Sequence, residues 1–246
     1  MSLEHLALVF VAFSLGGVLK GATGAGAPFL AVPIMAILVD VPFAVAVFVF
    51  PNVVSNAWQV WNYRHHRPER GFLTRYALAG VVGAGIGTAA LAGMSASVLT
   101  TAVALVVLMY VGFRLRNPGW TLPAPLVDRL AFPVGTAGGV LQGAVGISAP
   151  VSVTFLNAAG LARNTFVFTL STFFLAMAAI QLPMQIALGI MTWERAGYSA
   201  LGVLPLLLGM PLGDRLGRRI PKATFDRIIL AVLTLLALRL LWQNTL

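Results

Sequence analysis

The sequence predicts an all-α polytopic membrane protein built as two inverted repeats, each a broken helix hairpin followed by three transmembrane helices. Three observations carry this. First, 59% of the 246 residues are hydrophobic and only 9% are charged, with a mean hydropathy of +0.92, whereas a soluble domain carries about 25% charged residues. Second, the apolar residues form runs such as Ala77 to Phe113 with no charge at all, which only a bilayer can accommodate. Third, residues 16–28, GGVLKGATGAGAP, return at 138–150 as GGVLQGAVGISAP, nine of thirteen positions being identical at a constant offset of 122. A match of that length half a chain away marks an internal duplication.

The repeats are expected to span residues 1–122 and 123–246. Each opens on a long glycine-interrupted segment, at 6–39 and 130–160. Three plain segments follow, at 43–63, 72–93 and 97–115 in the first half, and at 165–185, 196–213 and 224–243 in the second. As helices, all six plain segments can cross a core of ~30 Å. If the interrupted segment crossed once, the repeats would be parallel; as a hairpin of two short helices it makes them inverted.

Basic residues decide between these, because cytoplasmic loops are enriched in Lys and Arg. Setting aside Lys20, which lies inside an apolar segment, fifteen basic residues remain. The inverted arrangement places thirteen of them on one side: Arg64, Arg67, Arg70, Arg75, Arg114, Arg116, Arg129, Arg163, Arg215, Arg218, Arg219, Lys222 and Arg227. The parallel arrangement places nine there. The inverted one is therefore expected, with both termini outside. The net charge of +9 then reads as topology and contact with anionic lipid headgroups rather than nucleic acid. Met1 to His5 lacks the basic start of a secretory signal, so the first apolar stretch is expected to be retained.

The interrupted segments are the candidate site. A straight helix of thirty residues would span roughly 45 Å, and Pro28 and Pro150 fit the first turn of a new helix, where the missing N–H costs nothing. Breaks are expected at Gly21–Gly26 and Gly143–Ser148. Unpaired backbone groups at membrane depth are tolerated only where protein or a water-filled cavity satisfies them. Two inverted breaks would also aim helix N-termini at one midplane point, an anion-attracting arrangement. Thr23, Gly24, Gly26 and Ser148 are the expected donors, with Gly21, Gly143 and Gly146 beside them; the alternative is that the glycines only permit tight packing.

Lys20 is the one basic residue within an apolar segment, and Gln142 is its partner in the repeat. An intramembrane charge costs several kcal/mol and points to a function, unless it offsets a helix C-terminus or snorkels. Asn52, Ser55, Asn56 and Gln59, and in the second repeat Thr169, Ser171, Thr172 and Gln181, are polar positions that could line the cavity or serve interhelical hydrogen bonding. The acids Glu4, Asp40, Glu69, Asp128, Glu194, Asp214 and Asp226 all fall at or near expected helix ends. No buried carboxylate is thus expected as a proton relay or sodium ligand, and no Ser/His/Asp set for catalysis. His65 and His66 have no carboxylate or cysteine at ligand spacing, and the chain has no cysteine, so neither a metal nor a cofactor is expected.

At GATGAGAP, GAVGISAP, the duplication and the basic NYRHHR at 62–67, the sequence resembles the TauE/SafE family of sulfite-exporter-like membrane permeases, over essentially its whole length. Lys20 before the first glycine cluster, and Ile147 and Ser148 in the second, depart from the usual pattern. The resemblance implies transport of small anions, such as sulfite, sulfonates or other organic and sulfur oxyanions, in the cytoplasmic membrane of a prokaryote. The expected function is alternating-access transport of such an anion. A passive anion channel and a membrane anchor subunit of a larger complex are the rival readings, and an enzyme is not expected; association into a homodimer is left open.

Overall fold

The structure is a computed structural model and describes residues 3–117, 119–219 and 222–245. It holds ten helices among the described residues, with 86% of the chain helical and no strand. They are α1 (Leu3–Thr23), α2 (Ala27–Leu38), α3 (Val41–Asn62), α4 (Arg70–Gly93) and α5 (Ala96–Arg116), then α6 (Ala124–Val145), α7 (Ala149–Ala158), α8 (Arg163–Ala187), α9 (Trp193–Arg219) and α10 (Lys222–Thr245). Each half thus has the same series: one interrupted pair and three longer helices.

Among the described residues, five helices are long and apolar enough to cross a membrane: α3, α4, α5, α8 and α9 over Trp193–Gly217. Where a sixth is expected, α10 runs for 24 residues. The observed helices are longer than the apolar runs. α6 starts at Ala124 rather than 130 because Pro123 and Pro125 suit a first turn. Asp128 is carried inside it by an ion pair with Arg75.

Glycines set the closest helix crossings. α1 and α9 run side by side in the same direction, Ser14, Val18 and Ala22 facing Gly209, Gly213 and Gly217. α4 and α6 do the same, Tyr76, Gly83 and Gly87 facing Gly135, Gly139 and Ala144. The second pair is the first with the two halves exchanged. A methyl group at Gly17 or Gly21 would overlap the backbone of Leu206 or Met210 in α9, and one at Gly139 or Gly143 would overlap the backbone of α4. Gly21 and Gly143, expected within the breaks, are therefore helical and serve these crossings, the close backbone approach that small residues permit.

Each interrupted segment folds back on itself. Gly16 faces Ala27 and Ala31, and Gly26 faces Leu19. In the second half Gly138 faces Ser152, and the Leu122 N–H donates to the Ala158 carbonyl at 2.8 Å, tying the start of α6 to the end of α7.

One end of the bundle is basic. Arg75 pairs with Asp128, Arg163 reaches Asp214 at 3.4 Å, and the Asn164 amide lies 3.3 Å from His66 Nε2. These contacts gather the 63–69 loop, the start of α6, the α7–α8 turn and the end of α9. The opposite end holds the α2–α3 turn, where Asp40 accepts the Phe43 N–H at 2.6 Å as an N-cap, and the start of α9, where the Tyr198 ring lies 5.9 Å from that of Phe43. Arg218, Arg219 and Lys222 of the charge argument, with Glu4 and Asp226, have side chains outside the described residues. Apolar side chains stand exposed along α4, α5, α9 and α10, among them Ile86, Met109, Leu208 and Leu235, as a lipid-facing surface requires.

Candidate anion site at the helix breaks

Both breaks begin in the same way. The Gly24 N–H donates to the Lys20 carbonyl at 2.7 Å and the Gly146 N–H to the Gln142 carbonyl at 3.0 Å. These glycines have φ of 78° and 72°, the left-handed conformation that stops a helix and that glycine adopts without penalty. The breaks are Gly24–Gly26 and Gly146–Ser148, three residues each and narrower than the glycine density implies. Gly26 has φ of 105°, whereas Ser148 has φ of −92°. Serine replaces glycine where the second break needs no left-handed residue.

The polar environments of the two breaks differ. In the first half the Lys20 ammonium donates to Asn56 Oδ1 at 2.7 Å, and the Asn56 amide donates to the Asn52 carbonyl and side-chain oxygen, both at 2.7 Å. One turn on, Gln59 Nε2 donates to the Gly24 carbonyl at 3.2 Å and its Oε1 accepts from the Ser171 hydroxyl at 2.9 Å. In the second half Gln181 Nε2 donates to the Gln142 carbonyl at 3.1 Å, but the side-chain oxygens of Gln142 and Gln181 find no partner among the described residues. The offset explains the difference: Asn56 and Ser171, which complete the first network, correspond to Ala178 and Val49. Thr169 and Thr172 bond back to the carbonyls of Thr165 and Phe168 within α8.

A cavity of about 440 Å³ opens beside the first break. Thr23 and Gly26 line it, and Arg114, Asn157, Arg163 and Gly217 place its mouth at the basic end. The Thr23 hydroxyl donates to the Leu19 carbonyl at 2.7 Å and accepts the Ala25 N–H at 3.2 Å, holding the break open. Of the expected site residues only Thr23 and Gly26 reach this cavity. Gly24 has its N–H committed to Lys20, and Ser148, fully buried, is 3.3 Å from the Ser152 hydroxyl. Lys20, Asn52, Asn56, Gln142, Gly146, Ser148, Thr169 and Ser171 sit in the packed interior instead, and Thr172 is half-buried outside the cavity lining.

Arg114, Asn157, Arg163 and Tyr110 line the cavity and are absent from the sequence-based set. The two arginines read as topology signals. What distinguishes them is the repeat: Tyr110, Arg114, Asn157 and Arg163 correspond to Val232, Leu236, Met35 and Val41, and Thr23 to Val145. Met35, Val41 and Val145, with the equivalent of Gly26, Ser148, are at most 1% exposed. Val232, at the position of Tyr110, is 36% exposed; no charge stands at any of these positions around the second break, and four of them are packed shut where the first break has a cationic, open cavity.

A multi-pass helical chain whose discontinuous helix lines an arginine-bearing cavity has the architecture of a membrane transporter. Residues 8–240 match the family model of the sulfite exporter TauE/SafE, and the chain belongs to that family of membrane transporters. No curated protein and no solved structure matches the chain.

Proposed function

We propose that this chain is a permease for a small anion, a sulfur oxyanion, sulfonate or organic carboxylate, that works by alternating access between two inverted repeats in a prokaryotic cytoplasmic membrane. The observation that carries the anion reading is the cavity itself: a helix break, Arg114 and Arg163 meet there, and two guanidinium groups beside a helix N-terminus attract a small oxyanion.

The inversion draws support from helix direction. α1 and α2 fold back, short connections reverse the chain at 39–40 and 63–69, and so α1 and α4 oppose each other. α6 runs with α4. The first helix of one half is therefore antiparallel to the first helix of the other, which is the relation of inverted repeats. The cavity opens at the basic end, while Met35, Val41 and Ile147 are fully buried near the second break; that asymmetry favours a gated carrier over a passive channel, which needs a continuous path. The unlike networks around Lys20 and Gln142 give the two halves different polar contents to exchange with the path.

Counterflow in proteoliposomes tests this. Vesicles preloaded with unlabelled sulfite should accumulate external labelled sulfite transiently and saturably. Labelled flux that rises linearly and shows no counterflow would establish a pore and overturn the alternating-access reading.

A further inference from the structure

We propose that the end of α6 is a site for a monovalent metal cation of sodium or potassium size, held by the side-chain oxygens of Gln142, Gln181 and Gln185. The comparison of the two halves motivates it. In the first half α1 carries Lys20 in its last turn, a cation fixed to the chain and 2.7 Å from Asn56 Oδ1. The last turn of α6 holds no basic residue, and Gln142 stands at the position of Lys20. Both helices end in unpaired carbonyls and a partial negative charge. Only α1 brings a positive charge of its own to meet them.

The surroundings of Gln142 supply oxygen without donors. Gln181 Nε2 donates to the Gln142 carbonyl at 3.1 Å, which joins α8 to this turn of α6, and Gln185 follows one turn further along α8. The three side chains are at most 2% exposed. Gln142 Oε1, Gln181 Oε1 and both amide atoms of Gln185 have no hydrogen-bond partner among the described residues. An unsatisfied buried polar group costs about 1–3 kcal/mol, and a cation satisfies several oxygens at once. The C-terminal ends of interrupted helices are where transporters hold such ions at membrane depth. The ligand chemistry sets the charge of the ion: neutral amide and carbonyl oxygens suit a monovalent cation, whereas a divalent one is held by carboxylates. Among the described residues no group of three or more His, Cys, Asp or Glu could hold a metal. This site lies at the other break from the cavity and stands independently of the anion reading.

The test follows the melting temperature of the purified full-length chain as N-methylglucamine chloride is exchanged for NaCl or for KCl at constant chloride and ionic strength. Sodium or potassium is expected to raise it saturably over the bulky organic cation. Gln142→Leu and Gln181→Leu each remove one oxygen and are expected to move the midpoint of that titration about 10- to 100-fold higher, the factor that corresponds to a charged hydrogen bond. They are separate positions in case one folds poorly. Gln142→Lys places a tethered ammonium where the first half has one and is expected to abolish the response to both metals. A wild-type melting temperature indifferent to both metals, or rising with salt without saturation, overturns the inference. So does a response that survives unchanged in the variants, because the ion would then bind elsewhere. Sulfite counterflow by a protein indifferent to both metals would leave the transport reading standing, so the two fail separately.

Discussion

The Lys20 ammonium donates to Asn56 Oδ1 at 2.7 Å in the buried interior, on the same helix as the Leu19, Ala22 and Thr23 that line the cavity but outside its lining. No buried carboxylate accompanies it among the described residues, and its partner is the neutral amide of Asn56. Asn56 is itself oriented by two bonds to Asn52. Removing it leaves an unpartnered buried amine, a loss of roughly 1.5–3 kcal/mol for a hydrogen bond to a charged group. Asn56→Ala is therefore expected to lower the melting temperature, and Lys20→Met added to it should recover most of the loss. Additive destabilisation by the two changes would refute the pairing.

Anion affinity should follow the cavity rather than the buried lysine. Arg114→Gln removes a cavity cation and is expected to weaken sulfonate binding roughly 10- to 100-fold, the factor that corresponds to a charged hydrogen bond. Lys20→Gln, which makes the two repeats alike at that position, should change Kd less than about threefold. The reverse ranking, measured by titration of folded variants, would return the site to Lys20.

The glycine crossings make a graded prediction about folding. Gly17→Leu and Gly143→Leu would drive side chains into the backbones of α9 and α4, and they are expected to abolish the monodisperse protein peak. Gly93→Ala and Gly112→Ala, which meet nothing within 4 Å, should leave expression and melting unchanged. Size-exclusion profiles of the four variants decide it.

Membrane orientation is testable because the natural chain has no cysteine. Single cysteines at Ser95 and Glu194 are expected to react with an impermeant thiol reagent added outside intact cells, and those at Pro68 and Arg215 only after the cells are opened. Outside labelling at Arg215 would restore parallel repeats.

The acids define a further expectation. Asp128 and Asp214 pair with arginines, Asp40 caps α3, and Glu194 accepts from the Tyr198 hydroxyl at 3.2 Å. Asp40→Asn keeps the cap and should be silent, while Asp40→Ala should cost about 1 kcal/mol. Amide substitution at Asp128, Asp214, Glu69 or Glu194 should leave flux within about twofold. Complete loss in a folded variant would place an acid in the transport cycle.

Hydropathy, the thirteen-residue repeat and the distribution of arginine determined, without coordinates, the helical class, the ten-element series and the position of both breaks to within a few residues. These are local or one-dimensional properties: apolar run length decides what can span, glycine with proline decides where a helix stops, and loop charge decides orientation. Tertiary structure alone decided what the small residues do. Gly21 and Gly24 look alike in sequence, yet one lies against Met210 across a helix crossing and the other carries the left-handed turn. It likewise decided that Arg114 and Arg163, 49 residues apart, meet in one cavity while Lys20, three residues from Thr23, turns away to Asn56. Which face of a helix meets the cavity depends on packing between segments distant in the chain, and a single sequence carries no record of that pairing.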